Sequence, residues 1–230
     1  RYPQALYTFL TSICGDHEAA WDGACGNGQA AVSLAHHFKS VQATDISEQQ
    51  IVNAIQSDGV TYSIQASEAT IFDDNQFDLV CIAQALHWFD YDKFWPEVKR
   101  ALKPDGIFAA WGYSWFSIDS AIDACLQQKL LKPIEPYWAV QNKLLWNQYR
   151  DVPFPFERIH APTIEMDAVW DVDQLFAYLH SWSAVRRCMD DGGDGFFIEA
   201  YEAVKAIWGD VTEKKRVKMD LYTLVGRNVG

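Results

Sequence analysis

Short apolar runs alternate with helix-forming segments through the first half of the chain. The apolar runs predict buried β-strands at 19–23, 41–45, 60–65, 77–83 and 107–111. The segments between them predict helices at 30–38, 47–55 and 91–102. Strands that alternate with helices at this spacing indicate a parallel sheet with right-handed crossovers. The predicted fold is therefore a doubly wound α/β sheet of the Rossmann-like type.

The alternation of strands and helices stops after Trp111. Residues 113–155 contain scattered prolines, two predicted helices and three tryptophans, which is typical of an insertion that packs over a sheet. Apolar residues at helical spacing then predict one helix over 172–186, and the chain ends with an alternating, strand-like segment at 217–225. We therefore expect a single domain over the whole chain, with a substrate-covering helical insertion at about 113–155.

Composition and charge narrow the classes of partner. Hydrophobic residues make up 49% and charged residues 22%, as in ordinary globular domains. The formal net charge of -12 disfavours nucleic acid, which is normally bound by clusters of Lys and Arg. The five cysteines form no CxxC pair or Cys–His cluster, so no metal site is expected. Because no transmembrane run or signal peptide is visible, we expect a cytoplasmic protein with a small-molecule substrate and no membrane partner. The oligomeric state is left open.

A glycine-rich segment, AWDGACGNGQAA over 20–31, follows the first strand. Gly26 and Gly28 allow a sharp turn and a close approach to a ligand. Asp45 lies about twenty residues further on, where an acid accepts hydrogen bonds from a ribose. These features also fit a nicotinamide dinucleotide, because G-x-G-x-x-A is satisfied. Asp22 favours a different ligand, since a carboxylate in the turn repels a pyrophosphate but suits an ammonium group, such as that of S-adenosylmethionine.

Several runs resemble motifs of a known family. Residues 22–29 resemble the first motif of class I S-adenosylmethionine-dependent methyltransferases, and Asp45-Ile46-Ser47 resembles the second. The runs QALHWFD at 84–90 and YLHSWSA at 178–184 resemble a narrower group, the small-molecule methyltransferases of the type 11 family that include trans-aconitate methyltransferase. The opening Arg1-Tyr2-Pro3 resembles the end of an N-terminal lid segment. The resemblance implies a seven-stranded, mostly parallel sheet with an antiparallel C-terminal strand.

The same resemblance implies S-adenosyl-L-methionine as the cofactor. In this reading Asp45 accepts from the ribose hydroxyls and Ile46 packs on the adenine. Many relatives have Gly-Asp-Ala-Glu where this chain has Gln-Ala-Ser-Glu at 65–68, so Ala66 lacks the side chain that would accept from the adenine amino group. The residues expected to bind the cofactor are Asp22, Ala24, Gly26, Gly28, Asp45, Ile46, Ala66, Ser67, Glu68 and Gln84.

The predicted chemistry is methyl transfer to a small-molecule acceptor, with O-methylation of a carboxylate implied by the resemblance. His87, directly after the fourth strand, is the candidate catalytic residue that orients an acceptor or takes its proton; a packed or capping histidine is the alternative. Trp88 is a candidate substrate-binding residue. We expect the acceptor pocket between these two residues and the insertion, with Trp182 as a possible further wall. The alternative functions are an NAD(P)-dependent oxidoreductase and a non-catalytic S-adenosylmethionine-binding protein.

Overall fold

A computed structural model describes residues 2–229. The helices and strands follow one another in this order: α1 (Gln4–Ile13), β1 (Ala19–Gly23), α2 (Gln29–Leu34), β2 (Ser40–Asp45), α3 (Glu48–Val52), β3 (Val60–Ile64), β4 (Phe77–Ala83), a 3₁₀ turn (Leu86–Trp88), α4 (Tyr91–Ala101), β5 (Leu102–Gly112), β6 (Phe116–Ser117), α5 (Ser120–Leu126), a π-helical turn (Gln127–Leu131), α6 (Lys132–Ile134), a 3₁₀ turn (Glu135–Tyr137), α7 (Asn142–Trp146), β7 (Glu157–Ile159), β8 (Ile164–Trp170), α8 (Val172–His180), α9 (Ser183–Gly192), α10 (Gly195–Trp208) and β9 (Lys215–Arg227).

Five parallel strands form the centre of the sheet, in the order β3-β2-β1-β4-β5. β9 continues the order by pairing antiparallel with β5, and β6 follows it. This confirms the predicted mostly parallel sheet with an antiparallel C-terminal strand; β7 and β8 also pair with β9. The strand order reverses between β1 and β4. Ligands of open α/β sheets bind beyond the carboxyl ends of the strands at such a point, so the two strand ends mark the place to search for a site.

Contacts divide the chain into two compact units, each with its own hydrophobic core. The first comprises the residues up to Tyr113, then 143–164, and the residues from Leu221 onward; the second comprises 114–142 and 165–220. The core of the first unit includes Trp21, Val80, Phe94 and Phe108. The core of the second includes Leu175, Leu179, Val204 and Trp208. The segment predicted as one insertion is thus shared, because 114–142 belongs to the second unit and 143–155 to the first.

The helix predicted over 172–186 is two helices, so this prediction is wrong. α8 ends at His180 and α9 begins at Ser183. The Ser181 hydroxyl donates to the carbonyl of Tyr178 at 2.6 Å, which is the acceptor that the peptide N–H of Trp182 would use in a continuous helix. That N–H bonds to the carbonyl of Leu179 instead, and the backbone of Trp182 is extended.

Residues 103–106, whose Lys-Pro-Asp-Gly sequence is typical of a turn, lie inside β5 as a bulge. Leu102 pairs with Phe77 and Ile107 pairs with Leu79, so four residues of β5 stand opposite one residue of β4. Asp105 adopts a left-handed backbone with φ of 63° within this bulge. The local turn signal was therefore real, but strand pairing continues on both sides of it. None of the helices found within residues 2–229 has the length and apolar character that crossing a bilayer would require.

Asp78 connects the start of β1 to β4. Its Oδ2 accepts the peptide N–H groups of Glu18 and Ala19, each at 2.9 Å, and its Oδ1 pairs with the Lys103 ammonium at 2.5 Å. Burial by itself would raise the pKa of Asp78, but the bond from Lys103 and the two peptide N–H groups outweigh it and hold the pKa below its usual value. A lowered pKa means that the stabilisation is present at neutral pH and is lost as the pH falls through the folded-state pKa.

Replacing Asp78 with Ala should lower the free energy of unfolding by about 1–3 kcal/mol at pH 7, because part-buried donors lose their acceptor. Denaturant unfolding measures this change, and the difference from the unaltered chain should shrink at pH 3. Glu18→Gln is the matched control, since its ion pair with Lys39 is largely exposed and should contribute much less than the part-buried Asp78 contacts. Equal losses in the two variants would contradict the assignment.

Candidate functional site

The glycine loop, defined as residues 24–28, leaves β1 at the point where the strand order reverses. Ala24, Gly26 and Gly28 have left-handed backbones, with φ of 50°, 56° and 84°. Such a conformation is strained for Ala24 and accessible to glycine. The peptide N–H of Cys25 donates to the carbonyl of Thr44 at 2.9 Å, which holds the loop against the end of β2.

Two further contacts fix the glycine loop. Asp45 accepts the peptide N–H groups of Gly26 at 2.9 Å and Ser47 at 2.8 Å, one on each carboxylate oxygen. On the other side, the N–H of Ile55 donates to the carbonyl of Asn27, and the Tyr62 hydroxyl donates to the carbonyl of Ile55 at 2.7 Å. Each Asp45 oxygen has a second lone pair, so Asp45 retains capacity to accept from a ligand hydroxyl.

Asp22 is fully buried and lies within β1, not in the turn where the sequence placed it. It stands beside Cys81 in the strand register, and the Cys81 thiol donates to Oδ1 at 3.6 Å. Oδ2 has no hydrogen-bond partner in the part of the chain that the structure describes. A buried carboxylate oxygen without a partner is costly, and this indicates a ligand with a positive or hydrogen-bonding group.

Burial raises the pKa of Asp22 to about 7; the Cys81 thiol and the Ala31 peptide N–H lower it, and the charge of Asp45 raises it further. Conversely, the charge of Asp22 contributes to the raised pKa of Tyr2, after burial and two neighbouring phenols. Asp22 therefore lies close enough to Tyr2 for their charges to interact. A cation bound beside Asp22 would lower the pKa of Asp22 again.

A cavity of about 310 Å³ opens at the glycine loop. This volume falls within the range of ligand pockets, roughly 300–1,000 Å³. Of the residues expected to bind the cofactor, Ala24 and Gly26 line it. Tyr2 lines it too, while Arg1, the other end of the lid resemblance, lies outside the described residues. The full lining is Tyr2, Ala24, Cys25, Gly26, Asn27, Gln29, Ala30, Gln50 and Ala83.

The segment after β3, residues 65–69, is held in place by its own hydrogen bonds. The carbonyl of Ala66 accepts the N–H of Ala69 at 3.2 Å, and Ser67 is 3% exposed. Glu68 accepts the N–H of Asp90 at 3.3 Å, which ties the segment to the start of α4. Ile46, by contrast, is 75% exposed, so its side chain is accessible to a flat ligand such as a purine.

Gln84 contacts the chain itself through its side-chain amide. Its Nε2 donates to the carbonyl of Tyr113 at 3.0 Å, and its Oε1 accepts the N–H of the same residue at 3.3 Å. Its backbone is left-handed, with φ of 60°. Gln84 therefore fixes the end of β5, and a contact of Gln84 with the cofactor stays a prediction.

His87 and Trp88 differ in accessibility although they are neighbours in the 3₁₀ turn. His87 is 4% exposed and Trp88 is 49% exposed. The Nδ1 atom of His87 lies 3.3 Å from the Tyr149 hydroxyl. Burial lowers the pKa of His87 to about 4, so the imidazole is neutral at physiological pH. Among residues 2–229, no group of three or more His, Cys, Asp or Glu is placed to hold a metal ion.

Comparison with known proteins fits this arrangement. Residues 21–110, which include β1, the glycine loop and β4, match the methyltransferase domain family. A protein of Dictyostelium discoideum that is named as a methyltransferase is 31% identical over 207 residues, which are 88% of this chain and 79% of that protein. The chain is a class I S-adenosylmethionine-dependent methyltransferase. S-adenosylmethionine is its cofactor.

A solved structure from Anaeromyxobacter dehalogenans, described as a type II methyltransferase, resembles this methyltransferase over its whole length. The TM-score is 0.91 at 34% identity, covering 100% of this chain and 97% of that one. A second relative matches only in part: the mitochondrial arginine hydroxylase NDUFAF5 of Rattus norvegicus is 36% identical over 99 residues, 42% of this chain and 29% of that protein. A match of this extent does not carry that protein's activity over to this methyltransferase.

Three residues of the methyltransferase site were missed at the level of sequence. Cys81 lies in an apolar strand where nothing distinguishes it from a packing residue. Tyr62 and Tyr149 are distant in sequence from the loop and the histidine that they contact. For Tyr62 the sequence predicted only its place in a strand over 60–65.

Proposed function

We propose that this methyltransferase transfers a methyl group to a carboxylate oxygen of a small molecule. The observation that supports the proposal is the state of His87, a neutral imidazole that is 4% exposed. A group this buried is reached by a small acceptor more easily than by a side chain of a folded macromolecule. With a pKa near 4 it is a weak base, and a carboxylate needs no base because it is already ionised.

The residues of the first unit fit the cofactor. We propose that the unpartnered Oδ2 of Asp22 accepts from the ammonium group, that Asp45 accepts from the ribose hydroxyls, and that Ile46 covers the adenine. The cofactor would supply a methyl group activated by a positively charged sulfur. An ionised acceptor oxygen would take this methyl group with its own lone pair, the leaving sulfur would keep the electrons of the broken carbon–sulfur bond, and no proton would have to be removed.

Two measurements test this proposal. Calorimetric titration with S-adenosylhomocysteine should give binding, and titration with NAD should give none. A screen with methyl-labelled S-adenosylmethionine and a panel of small carboxylic acids should then yield labelled, base-labile methyl esters. Label on amines or thiols only would overturn the carboxylate acceptor, and binding without transfer to any acceptor class would point to a cofactor-binding protein without this activity.

Replacing His87 with Ala should lower kcat by about a hundredfold with the acceptor found in that screen, while cofactor affinity stays nearly constant. The reason is that His87 is proposed to orient the acceptor and not the cofactor. Steady-state kinetics and calorimetry measure the two quantities. His160→Ala is the control, because His160 is exposed and outside the site. Unaltered turnover in the His87 variant would remove His87 from the mechanism.

A further inference from the structure

Tyr149 is held in an unusual backbone conformation beside His87. Gln148 and Tyr149 follow α7 with φ of 56° and 58°, in the left-handed region that bulky side chains rarely adopt. Tyr149 is nevertheless completely buried, and its ring packs at 5.7 Å from that of Tyr222. A strained backbone at two successive residues persists only where the surrounding contacts fix it, and such strain clusters at functional sites.

The surroundings of the Tyr149 hydroxyl indicate where its proton points. Tyr149 is completely buried, and burial raises the pKa of its hydroxyl well above the usual range, against a lowering contribution from the Leu86 peptide. The hydroxyl therefore stays protonated. Its own hydrogen needs an acceptor, and Nδ1 of His87 lies 3.3 Å away. The Tyr91 hydroxyl does not compete for this acceptor, since it donates to the carbonyl of Leu86 at 3.1 Å.

We infer that Tyr149 is a positioning residue that donates its hydroxyl hydrogen to Nδ1 of His87 and so fixes the histidine as the tautomer protonated on Nε2. In neutral imidazole one nitrogen accepts and the other donates. An Nδ1 that accepts from Tyr149 leaves Nε2–H as a hydrogen-bond donor. His87 is then a donor toward the acceptor molecule and cannot remove a proton from it.

This inference deepens the proposed function and rests on it for the substrate class. A neutral donor suits an acceptor that has a lone pair on an ionised oxygen and needs one oxygen held in place. A carboxylate meets both conditions, because one oxygen receives the Nε2–H and the other attacks the methyl carbon. An alcohol or a protonated amine does not, since each must lose a proton to a base that His87 does not provide.

The tautomer is measured directly by nitrogen NMR of the histidine-labelled chain, without any acceptor. The chain has six histidines, and the His87 signals are assigned by their loss in His87→Gln. We expect one neutral tautomer, protonated on Nε2, between pH 6 and 8. Tyr149→Phe keeps the ring but removes the hydroxyl, so Nδ1 and Nε2 signals should move toward those of a tautomer mixture. Tyr222→Phe, which keeps the Tyr149 hydroxyl, should leave them in place.

Kinetics provide a second test, in which a base and a donor give opposite results. The side chain of Gln retains an N–H donor but has no basic nitrogen. His87→Gln should therefore keep activity within about tenfold of the unaltered enzyme, whereas His87→Ala loses about a hundredfold, as when a single oriented donor is removed. If His87 acted as a base, kcat/KM would rise with pH in the unaltered enzyme and this rise would be absent in His87→Gln. We expect no such difference between the two pH profiles.

Three results would overturn the inference: a proton on Nδ1, an imidazolium at pH 7, or a tautomer unaffected by Tyr149→Phe. A His87→Gln variant as inactive as His87→Ala would overturn the role of His87 as a hydrogen-bond donor. These outcomes are separate from failure of the proposed function, since a different acceptor class would leave the tautomer and its dependence on Tyr149 as measured.

Discussion

Replacing Asp22 with Asn should lower the affinity for S-adenosylhomocysteine by about a hundredfold or more while raising the free energy of unfolding of the unliganded chain. Loss of one member of a buried, hydrogen-bonded charge pair costs about 2–5 kcal/mol of binding. Without a ligand the same carboxylate is buried with one oxygen unpartnered, so the neutral amide is easier to bury. Calorimetry and denaturant unfolding measure the two opposite effects.

The pH dependence of the same site follows from the raised pKa of Asp22. The folded-state pKa of Asp22, about 7, exceeds the usual value of 3.8. The stabilisation of the folded chain by the protonated Asp22 carboxyl is therefore present at low pH and is lost as the pH rises through 7. Cofactor binding needs the ionised form, so affinity should increase between pH 6 and pH 8 in the unaltered chain. Among the described residues whose pKa is shifted, those that interact electrostatically with Asp22 are acids, namely Tyr2, Tyr7, Cys25, Tyr62 and Cys81, and Asp45 raises the pKa of Asp22 itself.

In Asp22→Asn this increase in affinity should disappear, since no titrating carboxylate remains at that position. Cys81→Ala provides a graded control: it removes the thiol donor from Oδ1, which should raise the pKa of Asp22 and move the increase in affinity to higher pH. An affinity that is independent of pH in the unaltered chain would show that Asp22 does not bind the ammonium group.

Replacing Gly28 with Ala should lower the free energy of unfolding by about 2–5 kcal/mol and abolish cofactor binding. The left-handed backbone, with φ of 84°, costs a non-glycine residue about 1–2 kcal/mol. A Cβ would also lie 2.8 Å from the Cζ atom of Tyr62, and relief of such a clash costs about 1–3 kcal/mol more. Moving either the Tyr62 ring or the backbone at residue 28 to relieve the clash would break the contacts that fix the glycine loop.

Two variants separate these contributions. Gly59 has a similar φ of 80°, but its nearest neighbours lie at 3.7 Å and beyond, so Gly59→Ala should show the backbone cost alone. Tyr62→Ala combined with Gly28→Ala should recover part of the loss, because the ring that clashes is gone; residues in contact are not additive. A Gly28 variant as stable as the Gly59 variant would mean that Tyr62 yields without cost.

The sequence by itself determined the parallel strands and the glycine loop between β1 and α2. β1 and β4 have the bounds predicted from their apolar runs, and Ser47 and Asp90 cap helices at the positions where polar side chains precede the two predicted helical segments. These features are local, since burial on both faces requires a continuous apolar run and a cap requires a polar side chain at one position. The break at Trp182 was missed because a periodic apolar stripe continues through it.

The tertiary structure decided which side chains meet at the site. Asp22 contacts Cys81 across 59 positions of sequence, and His87 contacts Tyr149 across 62. Neither partner belongs to a motif, and each looks like a packing residue in its own segment. Strand register sets the first contact and a left-handed turn after α7 sets the second. Apolar periodicity determines which face of an element is buried, whereas the position of a hydrogen-bond donor depends on how distant segments pack.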